Sequence, residues 1–423
     1  MLRFAALRRA MFAAILLAGP AQAADQVTEW TLLGDQLGRG GANWRSLAIM
    51  HQAMHDAGNA ALPVYERWFP ASADEKPVAM GVPQAAMAAA AMRVLVSLHP
   101  AAVPDIDRLY RAALARLPDT PDTQASAWLG DTIGRAAVAR RDNDGFEVIK
   151  LFPKGDVPGR WRPAPADFSN SNTTETRPFL FASDVEVPPP PPPPAGSPRF
   201  LEGIAEARRI GGADSADRTA QQSETALYWA YQSSQRGYMH LAVRLLDQHP
   251  RRGQLAEHAR IMSQMATAMA DSAVLSWLEK ERFTYWRPIT AIRTGGPGFE
   301  KDEDWEPLIA TPPHPEYPSG HASDCFTGSG VLQAAFGELT APVTYVAQRG
   351  QAPEDNVGMG QHIQYADSGL AAARQYPSLA AMAEDCSNSR IWAGAHIRAA
   401  NEESRRLGAL ISGRAAAKVP ALP

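Results

Sequence analysis

Apolar residues recur at helical spacing in several long stretches of this 423-residue chain. Four of these stretches are residues 83–98, 105–117, 125–141 and 258–280. In the last one, Met262, Met265 and Met269 fall on one helical face. Runs that alternate between apolar and polar residues, as half-buried strands do, are not convincing anywhere in the sequence. The pattern therefore predicts an all-α protein.

Proline interrupts the helical pattern between residues 154 and 199. The unbroken run from Pro188 to Pro194 favours extended polyproline II and cannot lie inside a helix, because proline lacks the N–H that a helix needs. Ser215 is a residue type that caps helices, and a further helix is predicted from there up to Tyr231. The mature chain is thus divided into an N-terminal helical half (24–153), a proline-rich surface excursion (154–199) and a C-terminal helical half (200–423).

The first 23 residues have the features of a secretory signal. Arg3, Arg8 and Arg9 precede an apolar stretch, and Ala21-Gln22-Ala23 supplies the small residues of a cleavage site. We expect this segment to be removed and the mature protein to be periplasmic or secreted. No later stretch of about 18 unbroken apolar residues is present, so no membrane span is expected.

The charge balance argues against two classes of partner. The chain has 41 Lys and Arg against 45 Asp and Glu, a formal net charge of −4, and loss of the three signal arginines makes this about −7. Nucleic acids and anionic membranes attract basic surfaces. We therefore expect neither of them to be a partner.

His51 and His55 stand one helical turn apart, as in helices that bind zinc. The residue after His51 is Gln52 rather than the glutamate of a metalloprotease helix, and the sequence offers no obvious third ligand. The alternative, which we favour, is a pair of buried structural histidines.

The strongest chemical signal is Ser319-Gly320-His321, at the predicted start of a helix. A hydroxyl, backbone N–H groups and the positive end of the helix dipole would all face one anion there. His321 adds a group that can give or take a proton near neutral pH.

Two other clusters supply cations and a second histidine. Lys280 and Arg287 lie upstream, and Arg390 and His396 lie downstream. Guanidinium groups grip the oxygens of a tetrahedral anion, and lysine adds a point charge. His321 and His396 can then act at the central atom of the bound anion, one as ligand or nucleophile and the other as acid or base.

These three clusters resemble, in order and in spacing, the signature of the vanadium-dependent haloperoxidase and type 2 phosphatidic acid phosphatase superfamily. The matching parts are Lys280, six further residues and Arg287-Pro288; Pro318-Ser319-Gly320-His321; and Ser389-Arg390, five further residues and His396. The flanking residues 286–293, 315–321 and 50–59 also resemble bacterial haloperoxidase-like proteins. The resemblance implies helical bundles of the acid phosphatase and vanadium haloperoxidase type.

The resemblance also implies a cofactor, vanadate, and a role for each motif residue. The implied holders of its negative oxygens are Lys280, Arg287 and Arg390, with Ser319 and the Gly320 N–H adding hydrogen bonds. His396 is implied as the axial vanadium ligand, and His321 as the acid/base group. Lys280 is further implied to polarise bound peroxide.

Three functions are consistent with this resemblance. A haloperoxidase would oxidise halide with H2O2 and halogenate a small organic acceptor. An acid phosphatase would hydrolyse phosphomonoesters without vanadate, through a phosphohistidine at His396. We favour the haloperoxidase, because the resemblance reaches into an N-terminal half that short phosphatases lack. The resemblance is also compatible with a homo-oligomer, because haloperoxidase relatives are often dimers or larger.

One departure from the family supports the third function, a non-catalytic oxyanion-binding protein. Family members often have Asp four residues after the axial histidine, where it orients the ring, and this chain has Ala400 there. Asn401 or Glu402 could substitute; otherwise His396 is less well oriented.

His314 bears on the choice of halide. The resemblance places Phe at this position in chloroperoxidase-like members and His in bromoperoxidase-like ones, so we expect bromide to be favoured over chloride. The alternative is a solvent-facing loop histidine between prolines.

Cys325 and Cys386 are the only two cysteines of the chain. If the motifs beside them converge on one anion, the two thiols are neighbours, and a disulfide is then expected in an exported protein. Two separate buried thiols are the alternative.

Overall fold

The computed structural model confirms the all-α prediction. It describes residues 25–38, 43–163, 173–182, 186, 188–230, 232–248, 254–347 and 372–422. Over these ranges there are thirteen α-helices and two short strands. The predicted signal segment, residues 1–23, lies outside the described residues.

The N-terminal part holds five helices, which are connected by loops and one short 3₁₀ turn. They are α1 (Gln26–Leu37), α2 (Asn43–Ala61), α3 (Pro83–Leu98), α4 (Val103–Leu114) and α5 (Pro121–Ala139). Helix α3 has the bounds that its alanine-rich pattern predicts. Helix α5 begins four residues before the predicted start, because Thr120 caps it by accepting a hydrogen bond from the Thr123 N–H and Pro121 occupies its first turn.

The C-terminal part holds the other eight helices. They are α6 (Pro198–Gly211), α7 (Ala220–Ala230), α8 (Ser234–Gln248), α9 (Leu255–Phe283), α10 (Pro288–Thr294), α11 (Gly320–Phe336), α12 (Leu379–Trp392) and α13 (Arg398–Ala416). The predicted cap of α7 at Ser215 is wrong. Thr219 and Gln222 instead exchange two side chain to backbone hydrogen bonds at its start, the reciprocal pattern of a capping box. The predicted end of this helix, Tyr231, lies outside the described residues.

The prediction that the chain has no strands needs a correction. β1 (Val343–Val346) and β2 (Ala373–Tyr376) pair antiparallel. Each strand is four residues long, so neither is long enough to produce a clear alternating pattern. Tyr345 anchors the pair, because its buried ring packs 4.8 Å from the ring of Trp229.

Helix α9 lies at the centre of the molecule. Its 29 residues pack against α2 on the N-terminal side and against α11 and α13 on the C-terminal side. Met262 and Met265 are completely buried in a core cluster that also contains Met54 and Leu407, so the two parts share one core. Helix α9 therefore carries Lys280, near its C-terminal end, out of this rigid core.

His51 and His55 are buried in the same region, and one ring nitrogen of each makes a hydrogen bond within the protein. His51 Nε2 lies 3.2 Å from Thr31 Oγ1, and His55 Nε2 lies 2.9 Å from the Glu66 carbonyl oxygen. Burial lowers the pKa of His51 to about 3 and that of His55 to about 4, so both rings are neutral. These contacts support the structural reading of the pair.

None of the helices in the described ranges combines the length and the apolar character that crossing a bilayer requires.

The proline run packs against aromatic residues that flank the predicted site. The Tyr285 hydroxyl donates to the Pro193 carbonyl oxygen at 2.6 Å, and the Tyr317 hydroxyl donates to that of Pro190 at 3.0 Å. The two tyrosine rings are 6.3 Å apart. A polyproline II segment leaves its carbonyl groups free to accept such bonds. The run is therefore held against the backs of the two segments that carry Arg287 and Ser319.

We expect loss of these two hydroxyls to loosen the proline run. Tyr285→Phe and Tyr317→Phe should each lower the free energy of unfolding by about 1 kcal/mol, because each leaves a hydrogen bond unmade but keeps the packing of the ring. Urea unfolding of both single variants and of the double variant measures this. A double variant as stable as the parent would show that the run is not held by these bonds.

Candidate active site

Five segments bring the predicted site residues together. Lys280 lies in the last turn of α9, Arg287 is the N-cap of α10, Ser319 is the N-cap of α11, Arg390 lies in the last turn of α12, and His396 lies just before α13. All five side chains are at most 2% exposed. Residues more than 100 positions apart in the sequence therefore share one buried site.

Local backbone geometry sets the direction of each segment. Thr284 ends α9 in the left-handed conformation, with φ of 43°, and its N–H bonds the Lys280 carbonyl group. After α12, Gly394 has a φ of 73°, which an L-residue with a side chain rarely adopts. The turn at Gly394 lets the N–H groups of Ala395 and His396 both donate to the Arg390 carbonyl oxygen. These two backbone hydrogen bonds hold His396 close to the backbone of Arg390.

Helices α11 and α12 are joined covalently beside the site. Cys325 on α11 and Cys386 on α12 form a disulfide across 61 sequence positions. His321 lies one turn before the first cysteine, and Arg390 one turn after the second. The bridge therefore limits how far these two side chains can separate.

The start of α11 offers unused hydrogen-bonding groups. Ser319 makes no capping bond, and its buried hydroxyl has no partner. A side chain at Gly320 would meet the Trp277 ring, 3.0 Å from an added Cβ, so glycine allows the helix start and the indole to approach each other. The Ser319 hydroxyl and the first N–H groups of α11 form an anion-binding position.

Arg390 is the least satisfied cation of the site. Its guanidinium is completely buried, and neither Nε nor Nη1 has a hydrogen-bond partner. Burial lowers its pKa to about 10, which leaves it charged at neutral pH. Buried donors without partners are costly, so this side chain is set to bind an anion.

Arg287 connects the second and third motifs. Its Nε donates to the His314 carbonyl oxygen and its Nη1 to that of Ala395, both at 2.8 Å. Nη1 also lies 3.0 Å from His396 Nε2, and Nη2 lies 2.9 Å from His314 Nδ1. Burial and the nearby Arg390 lower its pKa to about 9, against the opposing effect of Glu316. The guanidinium therefore remains a cation at neutral pH.

Lys280 makes different contacts from those implied by the resemblance. Its ammonium donates to the backbone carbonyl oxygens of Pro315 at 2.8 Å, Glu316 at 3.2 Å, and Pro318. Three carbonyl acceptors require three N–H donors, and only the charged form of lysine has three. Burial and Arg287 lower the pKa of Lys280, against the opposing effects of the Glu316 and Glu279 carboxyl groups. In this structure Lys280 holds the loop before Ser319.

His396 is held in one tautomer. Its Nδ1 lies 3.2 Å from Glu316 Oε1, and its Nε2 faces the Arg287 guanidinium, which can only donate. Nε2 must therefore accept, and the ring proton is on Nδ1. Burial, followed by the Arg287 and Lys280 charges, lowers the pKa of His396, which keeps the ring neutral. A neutral ring with its lone pair on Nε2 can bind a central atom or attack it.

The suggestion that Asn401 or Glu402 orients His396 is wrong. The Asn401 amide donates to the Ser387 carbonyl oxygen at 2.6 Å, and Glu402 pairs with Arg199 at the surface. Sequence reasoning missed Glu316, which contacts the ring from the lead-in to the second motif. It is fully buried, and desolvation raises its pKa to about 7 although the Ile397 N–H and two cations favour the charged form. No spacing rule connects residues 316 and 396, which are 80 positions apart.

His321 has one ring nitrogen free for proton transfer. Its Nε2 has no partner, and the ring bonds the backbone of Gln232, a contact that raises its pKa. A backbone group with that effect is an accepting carbonyl, so Nδ1 carries the proton and Nε2 the lone pair. Burial and Arg390 nevertheless lower the pKa to about 3. His321 is therefore a neutral base whose lone pair is unused.

His314 is half-buried and lies against the site, unlike a solvent-facing loop histidine. Its Nδ1 lies 2.9 Å from Arg287 Nη2 and 3.1 Å from the Pro315 carbonyl oxygen, and its ring lies 5.1 Å from that of Trp277. Burial and the Lys280 and Arg287 charges lower its pKa, so it is a neutral ring. Trp277, which the motif search missed, has an unpartnered indole N–H and lies one helical turn before Lys280. Its position one helical turn before Lys280 is a sequence signal from which Trp277 could have been predicted to lie beside the site.

The electrostatics of the site favour an anion. The site contains three buried cations and the buried carboxyl group of Glu316. The polar groups without hydrogen-bond partners belong to three motif residues, Arg390, Ser319 and His321. Unbalanced positive charge in a buried site is costly until a negative ligand compensates it. Across the described residues no group of three His, Cys, Asp or Glu side chains could hold a bare metal ion. The donor set fits a tetrahedral oxyanion such as vanadate or phosphate.

Comparisons with known proteins find likenesses to vanadium haloperoxidases. A family model of the second helical-bundle domain of VCPO matches residues 260–422. A vanadium chloroperoxidase of Curvularia inaequalis is 30% identical over 148 residues, which cover 29% of this chain and 24% of that protein. The chain thus aligns with about a quarter of the length of that curated relative.

Solved structures extend the likeness to the whole fold. A bacterial vanadium-dependent iodoperoxidase superposes with a TM-score of 0.72 at 21% identity, over 94% of this chain and 95% of that chain. A holo-type bacterial vanadium-dependent chloroperoxidase superposes with a TM-score of 0.61 at 17% identity, over 94% and 93%. At these identities the superpositions establish the fold.

Arg390 generates the first test of the anion site. In Arg390→Ala, the affinity for orthophosphate or orthovanadate should fall roughly 10- to 100-fold, because a charged hydrogen-bond donor is lost. The thermal midpoint of unfolding without anion should stay the same or rise, because two buried nitrogens of Arg390 have no hydrogen-bond partner to lose. Titration calorimetry and thermal unfolding measure the two effects.

Arg398→Ala is the matched control, because that guanidinium pairs with Glu206 at the surface. Equal loss of affinity in both variants would contradict the assignment of Arg390 to the anion.

Proposed function

We propose that the chain belongs to the vanadium-dependent haloperoxidase family of the type 2 phosphatidic acid phosphatase/haloperoxidase superfamily, and that it is a vanadate-dependent enzyme that oxidises halide with H2O2. The observation that carries the proposal is the set of buried, unpartnered donors around a neutral His396. These groups would hold a tetrahedral oxyanion and leave His396 Nε2 to meet its central atom.

The residues that would hold vanadate are those whose hydrogen-bonding capacity is unused. Arg390, the Ser319 hydroxyl and the first N–H groups of α11 would bind its oxygens, and His396 Nε2 would bind vanadium. Arg287 would move its Nη1 donor from His396 to an oxygen. Bound vanadate supplies Lewis-acid activation of H2O2 toward halide attack without a change in its own oxidation state.

His321 carries out the proton transfer. Its neutral Nε2 takes a proton from incoming H2O2, and the resulting imidazolium is then the acid that returns a proton to the leaving oxygen. The low pKa that burial imposes makes it a weak base, and arrival of an anion opposes the effect of the surrounding cations. Lys280 supports this step by holding the Ser319 loop. It could also donate to a bound oxyanion if it released one of its three carbonyl partners.

Bromide is the halide we assign in preference to chloride. His314 puts a neutral imidazole, held by Arg287, at the position where chloroperoxidase-like relatives have phenylalanine. The facing Trp277 indole N–H is unpartnered and adds a donor for an incoming halide. Chloride is harder to oxidise than bromide, and iodide is easier, so the halide series has to be tested as a whole.

The setting of the reaction follows from the N-terminal segment and the cysteines. We assign residues 1–23 to a secretory signal and the mature enzyme to the periplasm or the exterior. The Cys325–Cys386 disulfide supports an oxidising compartment. Besides H2O2 and halide, the enzyme would use a small organic acceptor for the oxidised halogen.

The competing function is phosphomonoester hydrolysis. The same donors bind phosphate, and the tautomer of His396 is the one that an attack on phosphorus requires. The third function, anion binding without turnover, had Ala400 as its only support. The contact of Glu316 with His396 weakens that support, because the ring has an orienting partner.

Removal of His396 distinguishes the two enzymes. His396→Ala should lower vanadate-dependent bromination of a phenolic dye at least about 100-fold, since loss of an outer-shell partner alone typically costs 10- to 100-fold. Hydrolysis of p-nitrophenyl phosphate is measured beside it, with and without vanadate. Phosphate release that vanadate inhibits, with no bromination, would move the protein to the phosphatase branch.

His99→Ala is the control for His396→Ala. That histidine is half-buried and bonds Ser46, outside the site. Equal losses in the two variants would mean that general destabilisation explains the result.

His314→Phe tests the halide assignment. The ratio of kcat/KM for bromide to that for chloride should fall by roughly 5-fold, because a polar group worth about 1 kcal/mol is replaced by a hydrocarbon ring. Iodide, bromide and chloride are compared at saturating vanadate, since Arg287 also loses a partner. An unchanged ratio would remove His314 from halide selection.

A further inference from the structure

Glu316 is a buried carboxyl group at the junction of all three motif parts. It lies three residues before Ser319, in the loop that leads into α11. Its N–H donates to the Tyr285 carbonyl oxygen at 2.9 Å, and its own carbonyl oxygen accepts from Lys280 Nζ at 3.2 Å. Both partners belong to the first motif segment. The backbone of Glu316 is therefore fixed from both sides by the end of α9 and the turn after it.

The side chain of Glu316 reaches the third motif part. Oε1 lies 3.2 Å from His396 Nδ1 and accepts from the Ile397 N–H at 2.9 Å. One oxygen thus meets the ring of His396 and the backbone of the next residue. These two contacts determine both the position of the ring and the rotation about its bond to the backbone.

The role of Oε1 does not depend on the charge of the carboxyl group. Two donors converge on Oε1, while Oε2 is buried without a partner. If the group carries a proton, the proton therefore resides on Oε2, and Oε1 still accepts from Nδ1. In either state the contact keeps the lone pair of His396 on Nε2, where it faces Arg287.

Residues on the following helix do not compete for this role. Ala400 has no polar side chain, Asn401 bonds the Ser387 carbonyl group, and Glu402 pairs with Arg199. Alanine thus occupies the position at which the family resemblance leads one to expect an orienting Asp. The carboxyl group that contacts the ring comes from a different segment.

We propose that Glu316 is the positioning residue of His396: it holds the ring in the Nδ1–H tautomer, so that Nε2 meets the central atom of a bound oxyanion. The inference builds on the proposed function through the anion site, but it is the same for vanadate and for phosphate. It therefore survives if the enzyme is a phosphatase rather than a peroxidase.

A double-mutant cycle on anion affinity tests this role. The proteins are the parent, Glu316→Ala, His396→Ala and the double variant, and the probes are orthophosphate and orthovanadate in titration calorimetry. If Glu316 acts through His396, Glu316→Ala removes the acceptor and weakens binding about 10-fold in the parent and less than about 2-fold in the His396→Ala background. A similar loss in both backgrounds would show a merely structural role and overturn the proposal.

Glu279→Ala is the matched control. Glu279 is also a buried glutamate, with one oxygen unpartnered, but it lies on α9 and has no hydrogen bond to either motif histidine. Its variant should bind both anions with the affinity of the parent. A loss equal to that of Glu316→Ala would attribute the effect to removal of a buried carboxyl group in general, against the proposal.

A second measurement needs no ligand. In protein labelled with ¹⁵N-histidine, the His396 Nδ1–H should exchange slowly with solvent in the parent and fast in Glu316→Ala, because the acceptor is gone. A parent protein with the proton on Nε2 would overturn the inference. If the parent binds neither anion, the proposed function fails, and this measurement still decides the role of Glu316.

Discussion

The site depends on holding three cations in a buried space around a single carboxyl group. Each buried ion costs several kcal/mol unless hydrogen bonds and opposite charge compensate it. Lys280 is compensated by three carbonyl oxygens and Arg287 by two carbonyl oxygens and two histidines. Arg390 has unpartnered nitrogens, so the remaining compensation has to come from an anion. The other features of the fold serve to hold this arrangement.

Several independent constraints keep the cations from relaxing apart. Helix α9 extends from a core shared by both parts of the chain and places Lys280 rigidly. A disulfide ties α11 to α12, and Gly394 closes the turn that brings His396 back to Arg390. The proline run covers Tyr285 and Tyr317 from outside. Such preorganisation lets the site bind an anion without paying to order its donors at that moment.

The sequence predicted the parts of this protein that depend on local chemistry. Helix α3 was found with its bounds, because an alanine-rich amphipathic stretch preceded by proline is a local signal. Other helix starts were placed late or on the wrong cap, since the Thr120 and Thr219 caps precede the periodic pattern. The two strands were missed because four residues carry too little pattern. Residues from separate motif parts do lie in contact, as Arg287 and His396 show.

What the sequence by itself determined was the helical class of the protein and the cationic motif that resembles a known family. Only the tertiary structure decided how those residues are used. Lys280 holds a loop, and Glu316 rather than any residue after His396 contacts its ring. The reason is physical: local patterns encode propensity and residue type over a few turns. The partner of a buried polar group is set by which distant segments pack around it, and here 80 residues separate the carboxyl group from the histidine that it orients.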